Sequence, residues 1–400
     1  MPSALSSTFP DVRPDRAPSS FIQHALSSCG LVWSIANIRC REDLQQLLPL
    51  LDGIDWADSG AVLFQTGGWL AAAADGALRR PATEVSVLIA RQDDVPVAII
   101  PLAISRRFGI RVARTLGDPL AQYSDCLMRD DAGRWLSPDA IRTALALLPQ
   151  VDVFLFRHVR DDAKMLPLIR EMGGVSVARS AAPYADLAQY PDFDQFLKAN
   201  WKAHRNRDRL RRRAQKDGEL TFEVAASAAR AAELARHAIK LKQDWLRARF
   251  RHFGTLSSPN WCAALVDAVE RPTSSTRSIV TALHRRGKPA AIEVAFVRRA
   301  HYYAFLGAFD PECASWSPTD LLMEDTLRWC FNNAIEIYDL LPPDDSYKGK
   351  WTNAAMPVSD WAVYRSPSGR LYGELRGRYL PPLMSRIFRA TTRAHKIFRP

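Results

Sequence analysis

Titratable side chains interrupt three otherwise apolar stretches. In IEIYDLL, residues 335–341, Asp339 breaks an apolar run just before Pro342-Pro343, and the end of a strand in an α/β fold is where ligands collect. Tyr347, Lys348, Lys350 and Trp351 follow in the same loop. In AAIEVAFV, residues 290–297, Glu293 is the sole charge. In HYYAFLGAF, residues 301–309, a period of two puts His301 and Tyr303 on one face and Tyr302 on the other. Carboxylate, imidazole and phenol are the groups of general acid and base chemistry. The competing reading of the loop is an Asp339–Lys348 ion pair that only holds it shut.

Other chemistries lack their signatures. The chain has no GxSxG elbow, no HExxH helix and no Walker loop. Its six cysteines (29, 40, 126, 262, 313 and 330) are scattered without a CxxC pair. These features predict a reduced, cytoplasmic, metal-free protein that uses no covalent intermediate. The first residues, MPSALSSTFPDVRPDRAPSS, contain four prolines and no continuous apolar run, so residues 1–25 read as a disordered tail.

The elements that must position these groups occur twice. VSVLIARQDDVPVAIIPLAI (85–104) and SIVTALHRRGKPAAIEVAFV (278–297) align without a gap, each reading as strand, polar turn, strand. Leu116-Gly117-Asp118-Pro119 follows the first, and Leu306-Gly307 with Asp310-Pro311 follows the second. Both copies then reach Ser-Pro before a helical run, at Ser137-Pro138 and Ser317-Pro318, and each helix feeds an apolar strand. The order predicts two duplicated α/β (α+β) lobes, at 26–185 and 186–365, each a mixed, mostly antiparallel sheet flanked by helices. Residues 366–400 remain as a basic tail.

Ser317 suits an N-cap, Pro318 suits the first helical position, and Asp320 suits a reciprocal cap. The net charge of +11 is concentrated in two segments, each with nine Lys or Arg against one acid: Lys198–Lys216 and Arg365–Pro400. The rest of the chain is net acidic. Arg205, Arg209 and Arg213 recur at every fourth position, and such like-charge spacing is unfavourable unless an anion relieves it. A phosphorylated ligand, an anionic membrane and nucleic acid are the candidates. The tail places Leu383, Ile387, Ile397 and Phe398 among arginines, as a helix lying on an anionic membrane would.

Taken in order, LFQTGGWL (63–70), the first hairpin, LGDPLAQYSD (116–125), GKPAAIEVAFV, FDPECASWSPTDLLMEDTL and YDLLPPDDSYKGKW resemble the CelD-like acetyltransferases of the GNAT superfamily, a group linked to cellulose synthesis. The resemblance spans roughly residues 55 to 365. The group is similar to the Fem-type double-GNAT aminoacyltransferases.

The resemblance implies transfer of an acyl group from acetyl-CoA or another acyl-CoA to an amine or hydroxyl of a small molecule or glycan, by direct attack. An amine acceptor is mostly protonated at neutral pH, so a base is needed. Asp339, Glu293 and His301 are candidates for it, with Tyr303 as the acid that protonates the thiolate and Tyr347-Lys348 matching the family's YK motif. Ser317, Pro318 and Thr319, at a helix N-terminus, would hold the cofactor pyrophosphate beside Arg205, Arg209 and Arg213. Relatives usually have Gly where Thr319 stands. Tyr123, Ser124, Asp125 and Trp351 would line the acceptor cleft. Two alternatives are an aminoacyl-tRNA donor, the basic helix gripping its phosphates, and an inactive scaffold of polysaccharide synthesis. DNA is not expected as a partner.

Overall fold

A computed structural model describes residues 22–28, 30–53, 63–80, 82–129, 137–148, 150–200, 206–216, 218–248, 256–271 and 276–376. Arg205, most of the N-terminal stretch and the tail beyond Arg376 lie outside the described residues. Strand β1 (Ile22–Ser28) begins inside the stretch read as a tail, and a helix at Pro367–Glu374 carries the fold past residue 365.

The first half runs β1, β2 (Leu31–Ile38), α1 (Arg41–Gly53), α2 (Gly67–Leu78), β3 (Thr83–Gln92), β4 (Val95–Arg107), β5 (Ile110–Thr115), β6 (Leu127–Met128), α3 (Pro138–Ala146), β7 (Val153–Arg160), α4 (Met165–Glu171) and β8 (Val175–Asp186). The second runs α5 (Phe193–Ala199), α6 (Arg207–Lys216), β9 (Leu220–Val224), α7 (Ala228–Arg247), α8 (Pro259–Glu270), β10 (Arg277–Arg285), β11 (Lys288–Arg298), β12 (His301–Phe309), α9 (Pro318–Asn332), β13 (Ile337–Asp339), β14 (Ala354–Tyr364) and α10 (Pro367–Glu374). Among these described residues no helix is long and apolar enough to cross a membrane.

All fourteen strands form one sheet, ordered β1-β2-β3-β4-β5-β7-β14-β8-β13-β12-β11-β10-β9, with β6 on β4. Read outward from its centre, the sheet repeats itself. Antiparallel strands, five in the first half (β1–β5) and four in the second (β9–β12), lead in each to one parallel pair, β5 with β7 or β12 with β13. The duplication read from the hairpins is thus present at the level of strand order. The halves exchange their last strands: β8 pairs with β13 of the second half, β14 pairs with β7 of the first, and the two pair antiparallel at the centre.

The repeated hairpins turn through two residues at positive φ, Asp93-Asp94 and Arg286-Gly287, the loop whose twist matches paired strands. Alternation then sorts side chains to two faces. One face packs under α1, α2, α7 and α8 in a core shared by both halves, including Trp69, Phe296 and Tyr303. The other packs under α3 and α4 in the first half and α5 and α9 in the second. Helices α2 and α8 meet at Gly76, where a Cβ would stand 3.2 Å from the Ala264 Cβ and from the Trp261 ring. That contact locks the halves together.

Candidate active site

The parallel pair of the second half is short. His301, Tyr302 and Tyr303 pair with Ile337, Tyr338 and Asp339, after which β13 ends and β12 runs on to Phe309. The fork leaves the edge of residues 304–309 without a neighbouring strand among the described residues, and Gly307 faces open space. Lys242 of α7 donates to the Gly307 carbonyl at 3.2 Å.

Asp339 lies at the base of the fork, 3% exposed. Its carboxylate accepts from the Tyr123 hydroxyl at 3.0 and 2.9 Å, from the Leu341 N–H at 2.7 Å, and bonds His301 Nε2 at 3.2 Å. Tyr123 comes from the loop after β5, so the first half completes the site of the second. Burial, and then the neighbouring Asp339, push the Tyr123 phenol well above its ordinary range, so it remains a donor. The His301 ring stacks on Tyr303, 4.0 Å between centroids and 6° from parallel. Burial, then Asp339, also raise the Tyr303 phenol, against which the Leu63 backbone is hydrogen-bonded. His301 is the partly exposed member of this cluster.

Glu293 occupies the opposite face. Tyr302 donates to it at 2.8 Å and Tyr338 at 3.0 and 2.9 Å. Burial pushes its carboxyl up to about 7, with the two phenols working against the shift. The structure therefore does not unite Glu293 with His301 and Asp339; the sheet separates them.

The Asp339–Lys348 ion pair is not formed. Lys348, 4% exposed, donates to the carbonyls of Leu341 at 2.6 Å and Pro343 at 2.7 Å. Burial lowers its ammonium to about 8, with Asp345 and Asp339 opposing. It closes the loop through backbone acceptors. Tyr347 is half exposed, while Trp351 is buried with Tyr302 and Tyr338 and its indole faces Asp320 at 3.5 Å.

The expected cap of α9 is also absent. Ser317 sits at φ +52° and its side chain caps nothing, because a two-turn 3₁₀ helix at Pro311–Trp316 ends on it in the left-handed conformation. Asp320 turns to Lys350 at 3.3 Å. Pro318 has no N–H and the Asp320 and Leu321 N–H groups donate to the Ser317 carbonyl at 3.0 and 3.4 Å, so the N–H left without a side-chain cap at the start of α9 is that of Thr319. By contrast, Ser137 caps α3 through the Ala140 N–H at 3.2 Å.

Helix α6 packs Ala214 and Leu210 against Trp316 and Leu321. Arg207 and Arg211 turn inward to Glu324 and Asp325, with Arg211 to Asp325 at 2.8 Å. The acids that follow SPTD therefore anchor α6, and Arg209 and Arg213 stay exposed.

In the first half Asp125 does not join Tyr123. Its carboxylate accepts from the N–H groups of Cys126, Lys164 and Met165 at the start of α4, and burial raises it to about 6. Ser124 is buried beside it. One site residue escaped the sequence reading: Arg160, whose guanidinium lies 5.4 Å from the Tyr123 ring centroid and clamps Asp162 at 2.7 and 2.6 Å. Its place at the end of β7 was the only available signal.

Residues 201–349 match the family described as acetyltransferase (GNAT) domain. No curated protein matches the chain. Among solved structures, FemX aligns with 82% of this chain and 98% of its own at 10% identity and a TM-score of 0.53. The C-terminal domain (DUF2156) named for a lysylphosphatidylglycerol synthetase of Agrobacterium fabrum covers 84% and 98% at 14% identity and 0.49. A tandem GNAT protein from the clavulanic acid biosynthesis pathway covers 84% and 99% at 14% identity and 0.43. The narrower likeness to CelD-like enzymes finds no support among these matches. Residues 201–349 are thus similar to a GNAT acetyltransferase domain, within a fold similar over most of its length to that of FemX.

Proposed function

We propose that the protein transfers an acyl group from a CoA thioester to an amine or hydroxyl, with His301 as the base. The observation that carries this is the His301–Asp339–Tyr123 cluster at the fork of β12 and β13. A hydrogen bond from His301 Nε2 to Asp339 leaves Nδ1 to take the acceptor's proton, and the stack on Tyr303 fixes the ring plane. Asp339, whose oxygens already meet Tyr123, Leu341 and His301, positions the imidazole and stabilises its protonated form. It is a poor base itself.

The residues of the second half suit an acyl-CoA. The unpaired edge of 304–309 presents backbone groups to an extended amide chain, the Thr319 N–H at the start of α9 would meet a phosphate oxygen, and the exposed Arg209 and Arg213 of α6 add positive charge to the second half. Bound there, the thioester supplies the activated acyl group. The carbon–sulfur bond breaks as the bond to the acceptor forms, and the acceptor's proton passes to His301. Cellulose or exopolysaccharide synthesis remains a proposed setting, with a glycan or small amine as acceptor and a cytoplasmic location.

A second reading rests on the exposed arginines of α6 and the likeness to FemX: an aminoacyl-tRNA donor whose phosphates meet that face. Release of CoA thiol from acetyl-CoA across a panel of amines and amino sugars tests the first reading. Turnover that His301→Ala abolishes supports it. Turnover equal in wild type and variant contradicts the role of His301, salt-dependent tRNA binding without thiol release favours the second reading, and no response to either ligand leaves the scaffold.

A further inference from the structure

The β4–β5 hairpin holds Phe108 in solvent at 97% exposure, beside Arg106, Arg107 and Arg111. Arg107 pairs with Ile110, so the loop is Phe108-Gly109, at φ +52° and +82°. Loops of this kind select Asn, Asp or Gly, and a bulky aromatic is strained there. The equivalent loop of the second half, between β11 and β12, is Arg299-Ala300 with Arg299 at φ +54°. The fold itself therefore asks for no aromatic at this tip.

Helix α10 is tied to the same hairpin. Asp152 accepts from the Arg111 N–H at 2.8 Å and the Ser366 hydroxyl at 2.6 Å, and its carbonyl accepts from the Arg365 N–H at 2.8 Å. Ile110 and Tyr372 pack on one small cluster around Val112 and Val153. Outward from it, Leu371 is 65% and Leu375 47% exposed. Arg365, Arg370 and Arg376 are exposed as well, while nearby Glu84 and Glu374 are engaged by Arg111 and Tyr364. Beyond Arg376 the sequence adds six more Lys or Arg and no acid.

We propose that Phe108, Leu371 and Leu375, ringed by these arginines, form a surface that docks on an anionic lipid bilayer. The apolar side chains enter the interface and the guanidinium groups meet headgroup phosphates. Charge complementarity, continued by the basic sequence that follows, selects a lipid surface over a protein groove. The inference is independent of the acyl-transfer reading.

Co-sedimentation of the full chain with phosphatidylcholine vesicles, with and without phosphatidylglycerol, tests it. Wild type is expected on the anionic vesicles only. The full-length variant Phe108→Asn, Leu371→Ser, Leu375→Ser is expected to bind about tenfold more weakly with an unchanged or higher melting temperature, since Asn suits the turn. Equal binding of variant and wild type assigns any attachment to residues 377–400 and overturns the proposal, as does equal binding to neutral vesicles or none to either. A dimer in sedimentation velocity that the triple variant abolishes would show that the surface serves a second copy instead.

Discussion

The two forks of the sheet share a topology and differ in what holds their carboxylate. In the first half the parallel pair of β5 and β7 spans three residues, as does that of β12 and β13. There Asp118 pairs with two cations, Arg114 at 3.4 Å and Arg157 at 3.3 Å. In the second half Asp339 meets a phenol, an amide and an imidazole. A carboxylate consumed by cations makes a strut, and one held by neutral donors can position a base.

Separating the two forks by mutation gives the largest expected effect. His301→Ala should lower kcat by about 10²- to 10⁴-fold, the span of general base catalysis, and Asp339→Asn should fall in the same range, with melting temperature monitored in both. Asp118→Asn should leave kcat within about threefold, while stranding Arg114 and Arg157 and destabilising the fold by about 1–3 kcal/mol in chemical denaturation. If Asp118→Asn matches Asp339→Asn in rate, the contrast between forks is wrong.

Glu293 gives the next largest effect, through pH. Its folded carboxyl titrates near 7, above the ordinary value of about 4.3, so its contribution is fully present below pH ~4 and is lost as pH rises through about 7. The change amounts to about 4 kcal/mol. Denaturant midpoints of wild type should fall over that window relative to Glu293→Gln, which has no proton to lose. Parallel profiles for the two proteins would mean that the buried carboxyl does not titrate there.

The helix starts should show the smallest effects. Ser137→Ala removes a formed cap and should cost about 1 kcal/mol. Ser317→Gly relieves a left-handed φ and should stabilise by up to about 1 kcal/mol. Thermal melts of both variants check the contrast, and matching losses would restore Ser317 as a cap.

The duplication, the order of elements within each half and the His301–Tyr303 face were legible in the sequence, because hairpin spacing and the period of two are local properties; the single sheet made by exchange of β8 and β14 was not. The partners were not. Tyr123 and Asp339 are 216 residues apart, and nothing local distinguishes a tyrosine that crosses between halves from one in a polar turn. Spacing along α6 emphasised Arg205, Arg209 and Arg213, yet Arg207 and Arg211 turn inward because Glu324 and Asp325 await them on α9. SPTD reads as a cap by composition, but the short 3₁₀ helix before it sets the backbone of Ser317. Lys348 found carbonyls rather than Asp339, an outcome that depends on how the Pro-Pro loop folds back.

The central claim is that the fork of the second half, completed by Tyr123, is where the acyl donor binds. A crystal structure of the full chain with a non-hydrolysable CoA thioester analogue tests it most directly. The account predicts the extended arm along residues 304–309, the pyrophosphate at the start of α9, and the acyl carbon on the side of His301. An analogue seated in the fork of β5 and β7, or one that leaves both forks empty at saturating concentration, would contradict it.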